Sequence, residues 1–369
     1  MWPESGETKQ PLRSGLTTGT CATACCVAAS NFLLNQQSTQ QVCVTLPKGK
    51  EVLLDIVAID TLADGVRCAT IKDAGDDPDV THGATVFVEL RLAEHDNDID
   101  KIEFKAGPGV GTVTRAGLAL AVGEPAINEV PRRMMREHLI NQAKRFDYKG
   151  GFEVTVGVEK GEALAQKTMN PRLGIIGGLS ILGTSGIVRP YSCAAWIASI
   201  HQGIDVANAN GIEHIAATTG NTSEAAIQRK YDFDEVALIE MGDFAGAVLK
   251  HLKKVPVARL SICGGFGKLT KLANGHMDLN SRASAIDFSH MAELAAGLGA
   301  NGELQQKILA ANTSIEVFNL CQDAGIAIAA LICDQAREAA TKVVPAGVDV
   351  EIWAIDRKGD FIGHSGFRQ

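Results

Sequence analysis

The second half of the chain repeats one pattern, and that pattern restricts the fold more than any other feature. Ile212–Ala217, Val236–Ile239 and Ala258–Cys263 are short apolar runs. Each is followed by a glycine or polar loop and then by apolar residues at helical spacing, over Ser223–Lys230, Phe244–Lys253 and Lys268–Ala273. A strand that leads through a helix to the next strand cannot form a tight hairpin with it, so the unit is βαβ and the sheet is parallel. Leu304–Ala311, Ser314–Ala324 and Ala327–Val343 continue the helical spacing, and Val348–Ile355 adds a late strand.

The first half has a different rhythm. Residues 1–11 read as a loose tail. Thr20–Leu34 is helical by spacing, rich in small residues, and preceded by the capping threonines Thr17, Thr18 and Thr20. Strands dominate next: Gln41–Leu46, Glu51–Ile59, Val66–Ile71, Ala84–Leu90 and Lys101–Phe104. Val130–Phe146 reads as a helix with Pro131 in its first turn, and Phe152–Val158 as a strand. The expected fold is therefore an N-terminal α+β domain, residues 1–190, followed by an α/β domain with a parallel sheet, residues 191–369. The boundary falls where the glycine-rich stretch 174–186 ends at Pro190.

Charge and composition exclude some function classes. The net charge is -8 and there is no long Lys/Arg run, so a general nucleic-acid binder is not expected. An acidic small substrate would need a local basic patch. The 9 cysteines contain no C-x-x-C pair, which points to reduced, buried thiols in a cytoplasmic protein rather than a zinc site. The N-terminus lacks the apolar core of a signal peptide, and no apolar run approaches the roughly 20 residues of a membrane helix. No membrane partner is expected, and a homo-oligomer stays open.

Several segments could carry chemistry. In Arg13-Ser14-Gly15-Leu16-Thr17-Thr18-Gly19-Thr20-Cys21, hydroxyls and glycines precede a helix start, an arrangement that suits an anion or plain capping. Lys72 to Gly83 holds Asp73, Asp76, Asp77 and Asp79, which could bind a hard cation or form a solvated turn; the spacing is not that of an EF-hand. Asn170–Val188 mixes five glycines with apolar residues, as a ligand-approach segment or a crossover between domains would. Thr218–Thr222 and Gly264–Lys268 follow strands of the parallel sheet, where ligands bind. Leu269 occupies the position of the metal-binding hydroxyl of a phosphate loop, which argues against an NTPase. Lys268 and Lys271 lie three apart on one helix face and could supply the basic patch. The 9 histidines show no ligand spacing.

In order, these motifs resemble the CbiD family, the C1-methyltransferases of the anaerobic corrin pathway. The likeness is carried by Leu16–Ala22, by Asp73–Thr81, by Gly177–Val188 and by Gly265–Ala273, and spans roughly residues 12 to 360. After Ala273 the chain departs from the family pattern, reading Asn274-Gly275-His276-Met277-Asp278-Leu279-Asn280-Ser281. The resemblance implies a Rossmann-like second domain, S-adenosylmethionine as methyl donor, and methylation of C-1 of cobalt-precorrin-5B to give cobalt-precorrin-6A. The cobalt belongs to the substrate, so no protein-bound metal is expected.

Given that donor, the strand-end residues Thr219, Gly220, Asn221, Gly264, Gly265 and Gly267 are expected to hold it. Thr17, Thr18 and Thr20, with Lys268 and Lys271, are expected to meet the substrate's carboxylate arms, since charge-assisted bonds are the strong ones. Asp76, Asp77 and Asp79 are expected to orient the macrocycle or receive donor hydroxyls. No general base is evident. The competing readings are a phosphotransferase and a non-catalytic tetrapyrrole carrier.

Overall fold

The computed structural model describes residues 11–93 and 98–367, so nearly all of the expected N-terminal tail lies outside the described residues. The chain divides into two compact units, Met1–Ser192 and Cys193–Gln369.

Unit 1 runs β1 (Gly15–Leu16), α1 (Thr18–Asn35), β2 (Gln41–Thr45), β3 (Glu51–Asp55), β4 (Ala58–Thr61), β5 (Val66–Ile71), β6 (Thr85–Ala93), β7 (Ile102–Ala106), β8 (Gly109–Val110) and β9 (Thr112–Val113). It continues with α2 (Glu129–Arg145), β10 (Gly151–Val158), α3 (Gly161–Ala165), β11 (Ile175–Ile176), β12 (Gly178–Leu179) and β13 (Ile187–Val188). Its main sheet has the order β4-β5-β6-β10-β7, antiparallel except for the β10–β7 pair. Helix α1 packs against β5, β6 and α2. Cys21, Ala22, Ala24, Cys25, Cys26, Ala28 and Ala29 are all fully buried, so α1 is a core helix whose small side chains allow close approach on every face.

Two expectations change here. Glu51–Ile59 is two strands rather than one. The Ile56 amide donates to Gln40 O and the Val57 amide to Ala69 O, so neighbouring residues join different sheets and the chain turns between them. The stretch 174–186 is no crossover between domains. Its strands β11 and β12 pair with β9 and β8 inside unit 1, and β13 pairs with β1. A Cβ on Gly178 would lie 2.3 Å from the Gly109 carbonyl carbon, so backbones meet where only glycine fits.

Unit 2 runs α4 (Cys193–Ala209), β14 (His214–Thr218), α5 (Asn221–Tyr231), β15 (Leu238–Glu240), α6 (Ala245–His251), β16 (Arg259–Gly265), α7 (Phe266–Ala273) and α8 (Phe288–Gly297). Then come α9 (Gly302–Leu309), α10 (Ser314–Asp323), α11 (Ile328–Thr341), β17 (Asp349–Ile355) and β18 (Phe361–Ser365). The sheet order is β15-β14-β16-β17-β18, parallel throughout except for the β17–β18 hairpin. The alternation of strand side chains gives the sheet two buried faces. Ile215, Ala217, Leu260, Ile262 and Ile352 join the core built with α4, α6, α7 and α11. Ala216, Leu238, Cys263 and Trp353 pack with Ala226 and Ile227 of α5. The edge strand β18 and helices α4 and α8 had no clear sequence signal: β18 carries a glycine and polar residues, and α4 begins with small residues on exposed positions.

The α5 face also buries a polar network. Glu351, 2% exposed, accepts from Tyr231 OH at 2.7 Å and from Ser261 Oγ. With that proton committed, Ser261 Oγ accepts from His214 Nε2 at 2.7 Å. The carboxylate also meets His364 Nε2 at 3.3 Å. Tyr231, Phe233 and Phe367 surround the His214 ring edge-on. Burial pushes the His214 pKa below its usual 6.5 despite Glu351, and Arg259 adds to the effect. The unfolded chain therefore takes up a proton at this residue before the folded one does. Its contribution to stability is intact above about pH 6.5 and is lost as pH falls toward the lowered folded value. Urea midpoints at pH 7.5 and 5.5 are expected to drop less in His214→Gln than in the natural chain; equal drops would contradict this account.

Candidate active site

The strands of unit 2 set up one functional position before any side chain is considered. Taken in chain order, its four parallel strands lie second, first, third, fourth, so the winding reverses between β14 and β16. At such a switch point the segments leaving the two strands diverge, and a crevice opens beyond their carboxyl ends.

Thr219, Gly220 and Asn221 leave β14 at that point, and Gly264, Gly265 and Gly267 sit at the end of β16 and the start of α7. The expected loop 264–268 does not exist. Gly264 and Gly265 complete β16, and Phe266 begins α7 directly, with Gly265 as its N-cap. This abrupt passage needs small residues: a Cβ on Gly264 would lie 2.6 Å from Thr219 Cγ2, and one on Gly267 would lie 2.6 Å from Ser314 Oγ. Gly220 has φ 155°, a conformation open to glycine. Around Gly220 and Gly265 nothing lies within 4 Å of an added Cβ, so these two backbones face open space. The Thr218 hydroxyl, fully buried at the end of β14, has no hydrogen-bond partner among the described residues.

Lys268 ties the rim together. Its Nζ donates to Thr219 O at 3.1 Å and lies 3.0 Å from Asp243 Oδ1, a charge contact without good hydrogen-bond geometry. Asp243 Oδ2 accepts from Asn280 Nδ2 at 3.1 Å, and Asp243 O accepts from the Leu279 amide at 2.8 Å. Leu279 and Asn280 thus pack beside the crevice. Lys271 is 7% exposed and donates to Leu279 O at 3.0 Å; burial holds its pKa below the usual lysine value. Of the two lysines, Lys268 is the one at the crevice and Lys271 anchors the 278–284 turn. Asp243 and Asn280 escaped sequence reasoning, because a lone acid after a strand and an Asn in a turn carry no motif.

In unit 1, three sequence motifs meet around a cavity of about 150 Å³. Its walls include Thr17 and Thr18 from the start of α1, Lys72, Asp79 and Thr81 from the aspartate turn, and Asn170, Leu179 and Ser180 from the glycine-rich segment. Thr17 caps α1, its Oγ1 accepting from the Thr20 amide at 3.3 Å, while Thr20 is fully buried and donates its hydroxyl to Gly186 O at 2.8 Å. The aspartates are engaged by the protein itself. Asp73 pairs with Arg13, Asp76 accepts from the Arg13 amide at 2.6 Å, and Asp77 accepts from the Tyr191 amide at 2.8 Å. Asp79 pairs with Lys72 and accepts from the amide and hydroxyl of Thr81 at 2.8 and 2.6 Å. Burial raises the Asp79 pKa, but Lys72 and Thr81 outweigh it and hold the carboxyl below the usual range. Between the cation and turn readings of this segment, the hydrogen bonds describe a pinned turn. Among the described residues no group of three or more His, Cys, Asp or Glu is placed to hold a metal ion.

The sequence comparisons cover both units. Residues 5–190 match the CbiD family and residues 278–366 match the CbiD C-terminal domain. The chain is 60% identical, over 98% of its length and 97% of the relative's, to a cobalt-precorrin-5B C(1)-methyltransferase of Marinomonas sp. (strain MWYL1). It is also 60% identical to the protein of the same name from Pseudomonas putida (strain W619), with both chains covered completely. A crystal structure described as a cobalamin biosynthesis protein (cbiD) from Archaeoglobus fulgidus aligns over 85% of each chain, with 24% identity and a TM-score of 0.39.

Proposed function

The chain belongs to the CbiD family, and on that premise we propose that it methylates carbon 1 of cobalt-precorrin-5B, using S-adenosylmethionine as donor and giving cobalt-precorrin-6A. The observation that carries this reading is the end-to-end likeness to C(1)-methyltransferases of that substrate. We read residues 1–190 as an α+β domain and 191–369 as a Rossmann-like domain that holds the donor.

The residues at the β14/β16 switch point fit such a donor. Gly220 and Gly265 leave room on the backbone, and the Thr218 hydroxyl is a buried polar group in need of a partner. Thr219, Gly220 and Asn221 with Gly264, Gly265 and Gly267 would hold it, the starts of α5 and α7 offering amides to its carboxylate. S-adenosylmethionine supplies a methyl carbon made electrophilic by a positively charged sulfur. The protein's task is then to orient that carbon against the ring carbon and to exclude water, so positioning dominates over covalent help. In unit 2, Lys268 holds the rim and is assigned to a substrate carboxylate; in unit 1, Thr17 and Thr18 are assigned to carboxylates at the cavity surface. Thr20, Asp76, Asp77 and Asp79 support that surface by fixing the segments around it, and Lys271 does the same for the 278–284 turn.

Anaerobic incubation with cobalt-precorrin-5B and labelled donor is expected to add one methyl group to the product mass. Macrocycle binding without that gain would favour a carrier and overturn the reading. Replacing Lys268 with Ala is expected to raise the substrate KM about tenfold, the equivalent of one charge-assisted bond. An unchanged KM would remove Lys268 from the site.

A further inference from the structure

We propose that the cavity of unit 1 is a carboxylate subsite in which Lys72 supplies the charge, taking one acidic side arm of the corrin substrate and leaving the ring outside. The nature of the ligand rests on the function proposed above; the anion preference rests on the cavity alone.

The polar groups of this cavity are biased toward donors. Lys72 is 2% exposed and directs its ammonium at Asp79 and Thr81. An ammonium carries three donors, so one remains beyond those two bonds. Thr18 lines the cavity, is 6% exposed, and makes no side-chain hydrogen bond among the described residues. It is also the first residue of α1, an 18-residue helix with no acidic side chain in its first turn. The helix dipole and the unpaired first-turn amides therefore favour a negative group here. The acceptors, in contrast, are occupied. Asp79 takes Lys72 on one oxygen and Thr81 on the other, and Asn170 Oδ1 takes the Ser180 hydroxyl at 2.8 Å.

Size selects the ligand further. An apolar cavity of about 150 Å³ holds a benzene-sized molecule. The volume near Lys72 is of that order, at about 150 Å³. It admits an acetate or propionate arm and excludes a macrocycle. Apart from Thr17 and Thr168, the remaining wall is apolar, with Val80, Leu179, Leu182 and Val188, which strengthens any charge-assisted bond inside. Asp79 acts as a positioning residue: it aims the ammonium and, ionised throughout, offsets part of its charge, which limits anion affinity in the natural chain.

The test uses the full chain in three forms: natural, Asp79→Asn, and the double variant Lys72→Met with Asp79→Asn. The double variant avoids stranding a half-buried carboxylate without its cation, which could unfold Lys72→Met alone. Sodium acetate and propionate are titrated at constant ionic strength, observed through the backbone amides of Thr18 and Gly19. The natural chain is expected to show saturable shifts, Asp79→Asn to bind at least about tenfold more tightly, and the double variant to lose the response. Absence of saturable shifts in the first two, or undiminished binding in the double variant, overturns the proposal. In methyl-transfer assays the double variant is expected to raise the KM for cobalt-precorrin-5B at least about tenfold while kcat changes less than about threefold; an unchanged KM overturns the substrate assignment. Because the titration needs no turnover, a natural chain that binds acetate yet transfers no methyl group would count against the proposed function alone.

Discussion

Gly265→Leu is expected to abolish donor binding while leaving the chain folded. Gly265 ends β16 with φ -61° and ψ 143°, a conformation that any residue adopts without strain. Nothing lies within 4 Å of an added Cβ, so a side chain leaves the backbone there into open space. The stability change should stay within about 0.5 kcal/mol, as for other substitutions away from packed groups. A leucine side chain at the switch point would instead occupy the space assigned to S-adenosylmethionine. A loss of more than about 100-fold in donor affinity, about 2.7 kcal/mol, is expected by calorimetry, with a parallel loss of methyl transfer. Donor affinity that survives the substitution would move the donor elsewhere in the molecule. The separation between intact folding and lost binding distinguishes this result from general damage.

The largest stability effect is expected at Gly15→Ala. A Cβ at that position would lie 2.0 Å from the Ala74 carbonyl carbon and 2.4 Å from the Gly75 nitrogen. Both are backbone atoms, so no side chain can swing aside. The segments are also fastened on either side of the clash, by Leu16 N to Asp73 O at 2.8 Å and by Asp76 N to Arg13 O at 2.9 Å. Relief requires parting the N-terminal segment from the aspartate turn, which together carry Thr17, Thr18, Lys72 and Asp79 to the cavity. The expected cost is at least about 3 kcal/mol, with loss of hydrogen bonds added to overpacking. For a unit of this size that corresponds to a fall in Tm of roughly 6–12 °C. A shift smaller than about 2 °C would show that the approach of the two backbones is easily relaxed. The acetate titration of the same variant is expected to fail together with the melt, because cavity and contact are one structure.

Local pattern carried much of the architecture. The small-residue helix after Thr17, the strands of the first half and the alternating strand–helix units of the second could be read from spacing, because periodicity depends on which faces are buried and that is written in neighbouring residues. Capping by Thr17 was legible for the same reason. Sequence could not show that Gly264 and Gly265 are strand rather than loop, since ladder hydrogen bonds to β17 decide it. Nor could it show that Glu51–Ile59 breaks between two sheets.

The four ordered motifs determined the family, and with it a methyl transfer to a corrin precursor. Their individual roles were a matter for tertiary structure. Long-range pairing placed the glycine-rich segment beside residues 109–113 and the start of the Thr17 helix beside the aspartate turn, gathering residues as distant as Thr18 and Ser180 around one cavity. The same packing decided which charges are available. Asp76, Asp77 and Asp79 look exposed and reactive in the sequence, yet each is engaged by a protein donor, whereas Lys72, unremarked at a strand end, is the buried cation of the cavity. A residue type states what chemistry is available; only the neighbours brought up by the fold determine whether its hydrogen-bonding capacity is already used, because burial makes an unsatisfied polar group costly and so forces each one to find a partner or await a ligand.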